Sequence, residues 1–375
     1  MLAPMKVLIL CDVLFPQTTG GAGRFARELA SALERHGTEV HFLTRATVRA
    51  PEQQEKHATY YPPPGRKLPQ HYRTTFRRLL EKFHADILHV HQPLPAFLCL
   101  PRVVSKPVVQ TFHSSWSQEL KVKWSPWPLL FRRAGSILFA AIERQALRRA
   151  DIITVLSEYS RAEVERLYHL PATIIPGGAA SGRFKPCLSP ESDGVVRLIT
   201  VRNLVPRMGL FELVEAMSLL PSNIRLDIGG DGPLRAALEE RVQALGLRQR
   251  ILLRGHIPDD ELPGFYSAAD WFVLPSVAQE GFGLVILESL SCGTPVLGTR
   301  IGAIPELLER FDPAWVIPEP NPRSIADTVL SALKRPVPDR NALHRRIANE
   351  FDWDRIAERY IRLFMSLVQH EEPDQ

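Results

Sequence analysis

Short apolar runs alternate with amphipathic segments along this chain, and the alternation occurs twice. In the first half KVLIL (6–10), EVHFLT (39–44), DILHV (86–90), PVVQTF (107–112), DIITVL (151–156) and TIIP (173–176) read as strands. Segments 23–35, 71–83, 128–149 and 158–168 have helical spacing. The second half repeats the pattern with VVRLITV (195–201), IRLDIGG (224–230), RILLRG (250–255), WFVLP (271–275), TPVLGT (294–299) and AWVIP (314–318). Helices are expected there at 209–219, 232–245, 283–292 and 322–334. Strands that are apolar throughout, separated by helices, imply parallel sheets covered on both faces. Six strands on each side of a polar joint at 185–194 (KPCLSPESDG) predict two doubly wound α/β domains, residues 1–185 and 186–350. The segment after Asp352 reads as one amphipathic helix with Ile356, Tyr360, Phe364 and Leu367 on its apolar side. Residues 351–375 are expected to pack back on the first domain. Ligands of open parallel sheets bind beyond the strand carboxyl ends, which places the chemistry in a cleft between the two domains.

Composition narrows the class. Of 375 residues, 45% are apolar and 23% charged, which excludes disorder, collagen and coiled coil. No run approaches the ~20 apolar residues of a membrane span. The apolar run after Lys6 ends at Asp12, too short for a secretory signal. Cysteines 11, 99, 187 and 292 lie far apart with no CxxC, so neither a disulfide framework nor a zinc site is supported, and a cytoplasmic protein is expected. Residues 1–185 carry 26 Lys and Arg against 14 Asp and Glu, and the rest carry 20 against 27. The net charge of +5 therefore joins a half of +12 to a half of −7. This asymmetry points to an anionic partner for the first half: nucleic acid, an anionic lipid surface or a phosphorylated substrate.

The segment SVAQEGFGLVILESLSCGTPVLGT (276–299) carries the most chemistry. Glu280 ends a loop after a strand, Gly281-Phe282-Gly283 makes a tight turn, and a helix starts there with Glu288 in its second turn. Free N–H groups at a helix start bind anionic oxygen, and glycine lets the backbone approach it. The two carboxylates can accept from paired sugar hydroxyls at opposite ends of an extended ligand. A nucleoside diphosphate sugar fits that description.

This Glu-x7-Glu segment, with the preceding DWFVLPS and following CGTPVLGT, resembles the retaining glycosyltransferases of family 4, of GT-B fold. IGGDGPLRAALEE (228–240), LRGHIPDDEL (253–262), FPQTTGGAGRFARELASALERHGTEV (15–40) and TFHSSW (111–116) are similar to further family segments in the same order. The resemblance implies a GT-B α/β fold of two Rossmann-like domains with an interdomain cleft. It implies transfer of a hexose-type sugar, with retention, from a nucleoside diphosphate sugar (UDP ahead of GDP) to a hydroxyl of a glycan, lipid or small molecule. No metal and no cofactor beyond the donor substrate are implied. Glu288 would hold the ribose and Glu280 the sugar hydroxyls. The backbone of Gly281, Phe282, Gly283 and Leu284 would hold sugar and phosphate. His113, Gly20 and Gly21 would come from the first domain, with His113 and Glu280 nearest the reacting bond. The leaving phosphate is the expected base.

One stretch departs from the family. Where its members show V-G-R-L…K-G, whose Arg and Lys neutralise the diphosphate, this chain has VRNLVPRMG (201–209). Asn203 stands at the Arg position and Met208 at the Lys position, while Arg202 and Arg207 sit one residue earlier and are the candidate replacements. Two alternatives follow: a nucleotide-sugar epimerase or other α/β nucleotide enzyme, and a catalytically weak relative that binds a nucleotide sugar.

Other motifs read as structural. Gly21-Ala-Gly23-Arg-Phe-Ala26 fits the dinucleotide pattern G-x-G-x-x-A, but nine residues separate it from its strand, and Thr44-Arg45 offers no ribose-binding acid. His89 and His91 share a strand face without a clear third metal ligand. Asp352-Trp-Asp354 opens the last helix and reads as a cap. Trp116, Trp124 and Trp127 among Lys121, Lys123, Arg132 and Arg133, with Arg66, Lys67, Arg73, Arg77, Arg78 and Lys82 nearby in sequence, make the basic half a candidate for the inner face of an anionic membrane. No recognised nucleic-acid motif accompanies them.

Overall fold

The computed structural model describes residues 4–12, 20–45, 57–61, 68–100, 105–118, 129–189 and 193–369. These form two compact units. One holds the described residues up to Gly177 together with Trp353 onward, and the other is Gly178–Asp352.

In the first unit seven strands form a parallel sheet: β1 (Lys6–Leu10), β2 (Glu39–Arg45), β3 (Ala58–Tyr61), β4 (Ile87–Val90), β5 (Val108–Phe112), β6 (Ile152–Val155) and β7 (Thr173–Ile174). Their order is β3-β2-β1-β4-β5-β6-β7. Ile9 of β1 lies opposite Phe42 on one side and His89 on the other. All of β4 and β5 is buried, as strands covered on both faces must be. On one face Tyr72, Phe76, Leu79 and Phe83 of the helix Leu68–Phe83 pack against Leu8, Leu10, Leu43 and Leu88. Strand β3 was not expected from the sequence. It is a short edge strand with no apolar run of its own, held by pairing with β2.

The helix Gly21–Arg35 buries Phe25, Leu29 and Leu33. Its neighbour is the final helix, Trp353–Gln369, whose Trp353, Ile356, Tyr360 and Phe364 are buried. Phe25 meets the Trp353 ring edge-on at 5.0 Å. The Tyr360 hydroxyl reaches the hydroxyls of Thr111 (3.1 Å) and Thr154 (3.2 Å) on β5 and β6. The chain's last helix is thus built into the core of the unit that the first strands form.

The second unit has β8 (Val196–Val201), β9 (Ile224–Gly229), β10 (Ile251–Gly255), β11 (Trp271–Leu274), β12 (Val296–Thr299) and β13 (Val316–Ile317), all parallel, in the order β10-β9-β8-β11-β12-β13. The division between units falls at Gly177/Gly178, before the polar joint at 185–194. Phe184 is fully buried against Tyr266, and the carbonyls of Phe184 and Lys185 accept from Ser291 (2.6 Å) and Ser267 (3.4 Å). Those bonds tie the approach to the joint into the second core. The helices Pro93–Cys99, Leu262–Ser267, Ile304–Leu308 and Arg340–Phe351 also went unforeseen. The first three are one or two turns long, and the fourth hides Leu343 and Ile347 among charged residues. Among the described residues no helix is long and apolar enough to cross a membrane.

Because Phe364 is fully buried, Phe364→Ala is expected to cost about 3–5 kcal/mol of stability, measured by urea unfolding. Wild-type stability in that variant would show that the last helix is dispensable to the core.

Candidate active site

Both sheets place the first strand of each unit beside its fourth (β1 by β4, β8 by β11), the point from which successive connections run in opposite directions. The loops leaving β8 and β11 carry most of the predicted residues. Past β8 the chain turns through Arg202, whose N–H donates to the Gly229 carbonyl (2.9 Å), into a short turn Pro206–Met208 that ends at Gly209 with φ 68°. A Cβ at Gly209 would stand 1.8 Å from the Pro275 carbonyl oxygen, so only glycine lets these two loops touch. The Val277 N–H donates to the Arg207 carbonyl (3.0 Å), and the Arg207 guanidinium donates to the Gln279 carbonyl (2.8 Å). Gly302, at φ 58°, meets the Glu280 backbone in the same way: its Cβ would lie 2.1 Å from the Glu280 carbonyl oxygen, which instead accepts from the Ala303 N–H (2.9 Å). The backbone of Glu280 is fixed from that side and its side chain from the other.

The side-chain anchor is Arg202. Its guanidinium donates to Glu280 Oε2 (2.7 Å) and Ser276 Oγ (3.1 Å) and rests against the Met208 sulfur. Ser276 Oγ donates to the same Oε2 (3.3 Å). The side chains of the ion pair are 5% and 14% exposed. Arg202 Nη1 is buried and has no hydrogen-bond partner among the described residues. Asn203 is half-buried, its carbonyl accepting from the Val205 N–H (2.9 Å). After the 281–283 turn the helix Leu284–Ser291 begins at Gly283, φ 86°, with no side-chain cap. Its first N–H groups are the kind that an anion satisfies. Phe282 is buried and Leu284 half-buried. Glu288 is buried too, and accepts from the Tyr266 hydroxyl (2.9 Å). The structure therefore pairs Arg202 with Glu280 directly and ties Arg207 to the same loop through Val277 and Gln279, with Gly281–Glu288 following in the chain. Ser276 and Tyr266, which orient the two carboxylates, had no signal of their own in the sequence.

The first unit holds His113 just past β5, half-buried, its Nε2 3.2 Å from His91 Nδ1. The two rings stack at 5.4 Å, and Phe25 meets the His113 ring edge-on at 5.1 Å. His89 Nε2 lies 2.8 Å from the Thr111 hydroxyl. Burial lowers the pKa of His89 and His113 to about 3 and pushes His91 down as well, with neighbouring imidazoles adding to the effect on His89 and His91. All three rings are neutral at pH 7. The loop after His113 is pinned by Glu143, a buried carboxylate accepting from the Trp116 N–H (2.6 Å), the Ser117 N–H (3.1 Å), Ser115 Oγ (3.2 Å) and the Tyr168 hydroxyl (2.8 Å). Burial raises the Glu143 pKa despite those donors. Glu143 was not foreseen from the sequence. Its signal was a lone acid three and four residues before the buried Ala146 and Leu147, on their helix face.

Gly20 precedes the helix Gly21–Arg35, and a Cβ on Gly21 would meet nothing within 4 Å. Gly21 and Gly23 lie inside that helix rather than in a strand–helix turn, and Arg45 pairs with Asp12 (3.0 Å), so the dinucleotide pattern has no structural counterpart. The Asp352 carboxylate accepts from Ser181, and Asp354 pairs with Arg35. Among the described residues no group of three or more His, Cys, Asp and Glu could hold a metal ion. Trp116 is half-buried against Phe139 at 6.0 Å. Arg66, Lys67, Lys121, Lys123, Trp124 and Trp127 lie outside the described residues, as do residues 13–19 of the glycine loop.

Comparison with known proteins agrees with the motifs. Residues 19–181 match the family model "Glycosyltransferase Family 4", and residues 189–350 match "Glycosyl transferases group 1". Relatives over nearly the whole chain include a phosphatidylinositol N-acetylglucosaminyltransferase component of Arabidopsis thaliana, 26% identical over 95% of this chain and 80% of the relative. Another is phosphatidyl-myo-inositol mannosyltransferase of Mycobacterium leprae, 24% identical over 97% of each. Solved structures of the same fold include sucrose-phosphate synthase from Thermosynechococcus elongatus (TM-score 0.81, 22% identity, 98% of this chain and 100% of that one). Anabaena HepE in complex with UDP and glucose is similar as well (TM-score 0.77, 19% identity, 97% and 100%). The two family models together span most of the chain, which belongs to the family 4 glycosyltransferases and has the GT-B fold.

The histidines at these strand ends set a pH dependence. Between pH 6.5 and about 3 the unfolded chain binds protons that folded His89 and His113 refuse, so stability falls as pH is lowered through that window. Glu143, raised in the fold, acts in the opposite direction. Urea unfolding at pH 7.5 and 5 should show the loss on acidification, with a shallower slope in His113→Gln. Equal slopes would mean that His113 is not held neutral.

Proposed function

We propose that this protein transfers a hexose-type sugar from a nucleoside diphosphate sugar, UDP ahead of GDP, to a hydroxyl of a glycan, lipid or small molecule, with retention and without a metal. The observation that carries the reading is the state of Glu280. Among the described residues both side-chain bonds to its carboxylate fall on Oε2, which leaves Oε1 to accept from sugar hydroxyls beside an uncapped helix start. The backbone of 281–284 holds sugar and phosphate, Glu288 holds the ribose, and Asn203 and Arg207 border the phosphates. His113, neutral at pH 7, donates to or accepts from donor or acceptor oxygens without adding charge, and Gly20 and Gly21 supply approachable backbone. The acceptor hydroxyl attacks the face from which the diphosphate leaves, and a leaving phosphate oxygen takes its proton. Catalysis is then positioning plus stabilisation of the departing diphosphate.

The experiment is thermal stability with UDP, GDP, ADP and NADP at equal excess, followed by sugar transfer from the donor so identified. A ligand at ~100 times its Kd stabilises by about 2.7 kcal/mol, and UDP is expected to do so. Glu280→Gln should lower kcat/KM by about 10- to 100-fold through loss of a charge-assisted hydrogen bond. No shift with any diphosphate, or a shift with NADP alone, would sink the reading.

For the acceptor side we propose contact with an anionic membrane surface. Ile137 (73% exposed) and Leu138 (60%) stand out on the helix Leu129–Leu147, in the unit that also exposes Arg77, Arg78 and Lys82. The relatives named above carry phosphatidylinositol or phosphatidyl-myo-inositol in their names. Co-sedimentation with vesicles containing anionic phospholipid should weaken in Ile137→Ser/Leu138→Ser. Equal binding to neutral vesicles, or none to either, would remove the membrane from the scheme.

A further inference from the structure

Two histidines of the first unit, His89 and His91, take no part in the scheme above, yet they stand beside His113. His89 lies on β4, His91 just past its end, and His113 just past β5. His89 and His91 are buried, whereas His113 is half-buried and is the one of the three that keeps a surface. Burial holds all three rings neutral at pH 7, each with one N–H and one bare nitrogen. Which nitrogen carries the proton is set by the bonds around the ring.

For His89 the hydrogen atoms decide. The hydroxyl oxygens of Thr111, Thr154 and Tyr360 form a triangle with sides of 2.8, 3.1 and 3.2 Å, and His89 Nε2 lies 2.8 Å from that of Thr111. These are four contacts, and the three hydroxyls supply three protons. The fourth comes from His89, which therefore carries its proton on Nε2. Its Nδ1 is then bare, and Nδ1 is the atom that is buried with no partner among the described residues. The partnerless nitrogen is thus the one without a proton, in keeping with the rarity of orphaned buried N–H groups. His91 has the same pattern. Its Nε2 is buried with no partner among the described residues, and its Nδ1 lies 3.2 Å from His113 Nε2. A proton on His91 Nε2 would be an orphaned buried donor, so it sits on Nδ1 and is donated to His113. That bond occupies the lone pair of His113 Nε2, and the single proton of neutral His113 is left on its Nδ1. Phe25 packs against both rings, 5.7 Å from His91 and 5.1 Å from His113, and keeps the pair in place.

We propose that His91 is a positioning residue that fixes the tautomer of His113, holding it in the Nδ1–H form: a hydrogen-bond donor to a substrate oxygen, with no lone pair left to act as a base. This rests on the reading above that His113 serves the transfer, and narrows it. His113 gives a hydrogen bond to the substrate and accepts none. The proton of the acceptor hydroxyl must then go elsewhere, which agrees with a leaving phosphate oxygen as its destination.

The tautomer is read from long-range proton–nitrogen NMR spectra of protein labelled with 15N-histidine at pH 7.5, the His113 signals being identified by their loss in His113→Ala. Two variants, each checked for fold by circular dichroism, separate the roles: His91→Leu has no donor, and His91→Asn can place a carboxamide N–H where Nδ1–H stood. His113 should be protonated on Nδ1 in the wild type and in His91→Asn, and should shift towards the Nε2–H form in His91→Leu. Release of UDP from UDP-glucose, or of GDP from GDP-mannose, gives the functional arm. His91→Leu should lower kcat by about 3- to 10-fold, the worth of one neutral hydrogen bond. His91→Asn should restore most of it, and His91→Leu should add nothing to His113→Ala, because the one acts through the other. Equal losses in both backgrounds would make His91 a core residue only and overturn the inference. Wild-type His113 protonated on Nε2, or His113 unchanged in His91→Leu, overturns it too and leaves the donor reading standing. A wild type that releases neither diphosphate overturns the donor reading, while the spectra still decide the tautomer. Should His91→Leu fail to fold, the wild-type spectrum decides alone.

Discussion

Parallel strands bring all their carboxyl ends to one edge of a sheet, and this constraint sets where the loops of each unit gather. The order 3-2-1-4-5-6 recurs in both sheets. At the point where β1 neighbours β4, and β8 neighbours β11, the connecting loops diverge and leave a crevice. In the second unit the loops after β8 and β11 carry Arg202, Arg207 and Glu280. In the first, the Asp12 N–H past β1 donates to the Gln92 side chain past β4 (2.7 Å), next to His91 in the chain. Loops in such a place would ordinarily be loose. In the second unit the loops after β8 and β11 touch backbone to backbone through Gly209, and the loop after β12 joins them through Gly302, which is why their few polar side chains have defined partners.

Buried charge is the next consequence. A carboxylate out of water is unfavourable unless it is bonded on its open positions. Glu143 is satisfied by four internal donors, and desolvation still raises its pKa. The bonds from Ser115, Trp116 and Ser117 hold the loop beside His113, so its part is to position. Glu280 has its bonds gathered on one oxygen by a guanidinium and a hydroxyl. The difference between the two is geometric: the first carboxylate is closed around by its own unit, while among the described residues the second is bonded through Oε2 alone, on the loop after β11.

Much of this was legible in the sequence, and for identifiable reasons. Strands such as KVLIL and DILHV announce themselves because burial on both faces demands apolar side chains throughout. The last helix was readable because Ile356, Tyr360 and Phe364 fall on one helical face. Short elements were not: β3 and the helix Leu262–Ser267 are too brief to develop a period, and pairing or packing alone fixes them. The Glu-x7-Glu segment pointed to the candidate site of the second unit. The joint arrangement of Arg202, Met208 and Glu280 was out of reach, since 6 and 78 residues of chain separate Arg202 from those partners. The one-residue offset from the family pattern could be seen in the sequence; the direction in which the guanidinium turned required the packed loop.

Charge counted over whole halves is a poor guide to where a buried cation stands. The half with a net charge of −7 contains the buried guanidinium of Arg202, paired with Glu280, whereas the half of +12 offers three neutral imidazoles at its own strand ends. Coulomb interaction between exposed groups is screened within about 10 Å at ordinary salt, so most of those charges act on solvent and on whatever surface lies near. A buried guanidinium is screened far less. The neutral histidines can exchange hydrogen bonds without adding charge to their own unit. The basic first half is then free to respond to a different anion, and the membrane proposal is physically independent of the donor site.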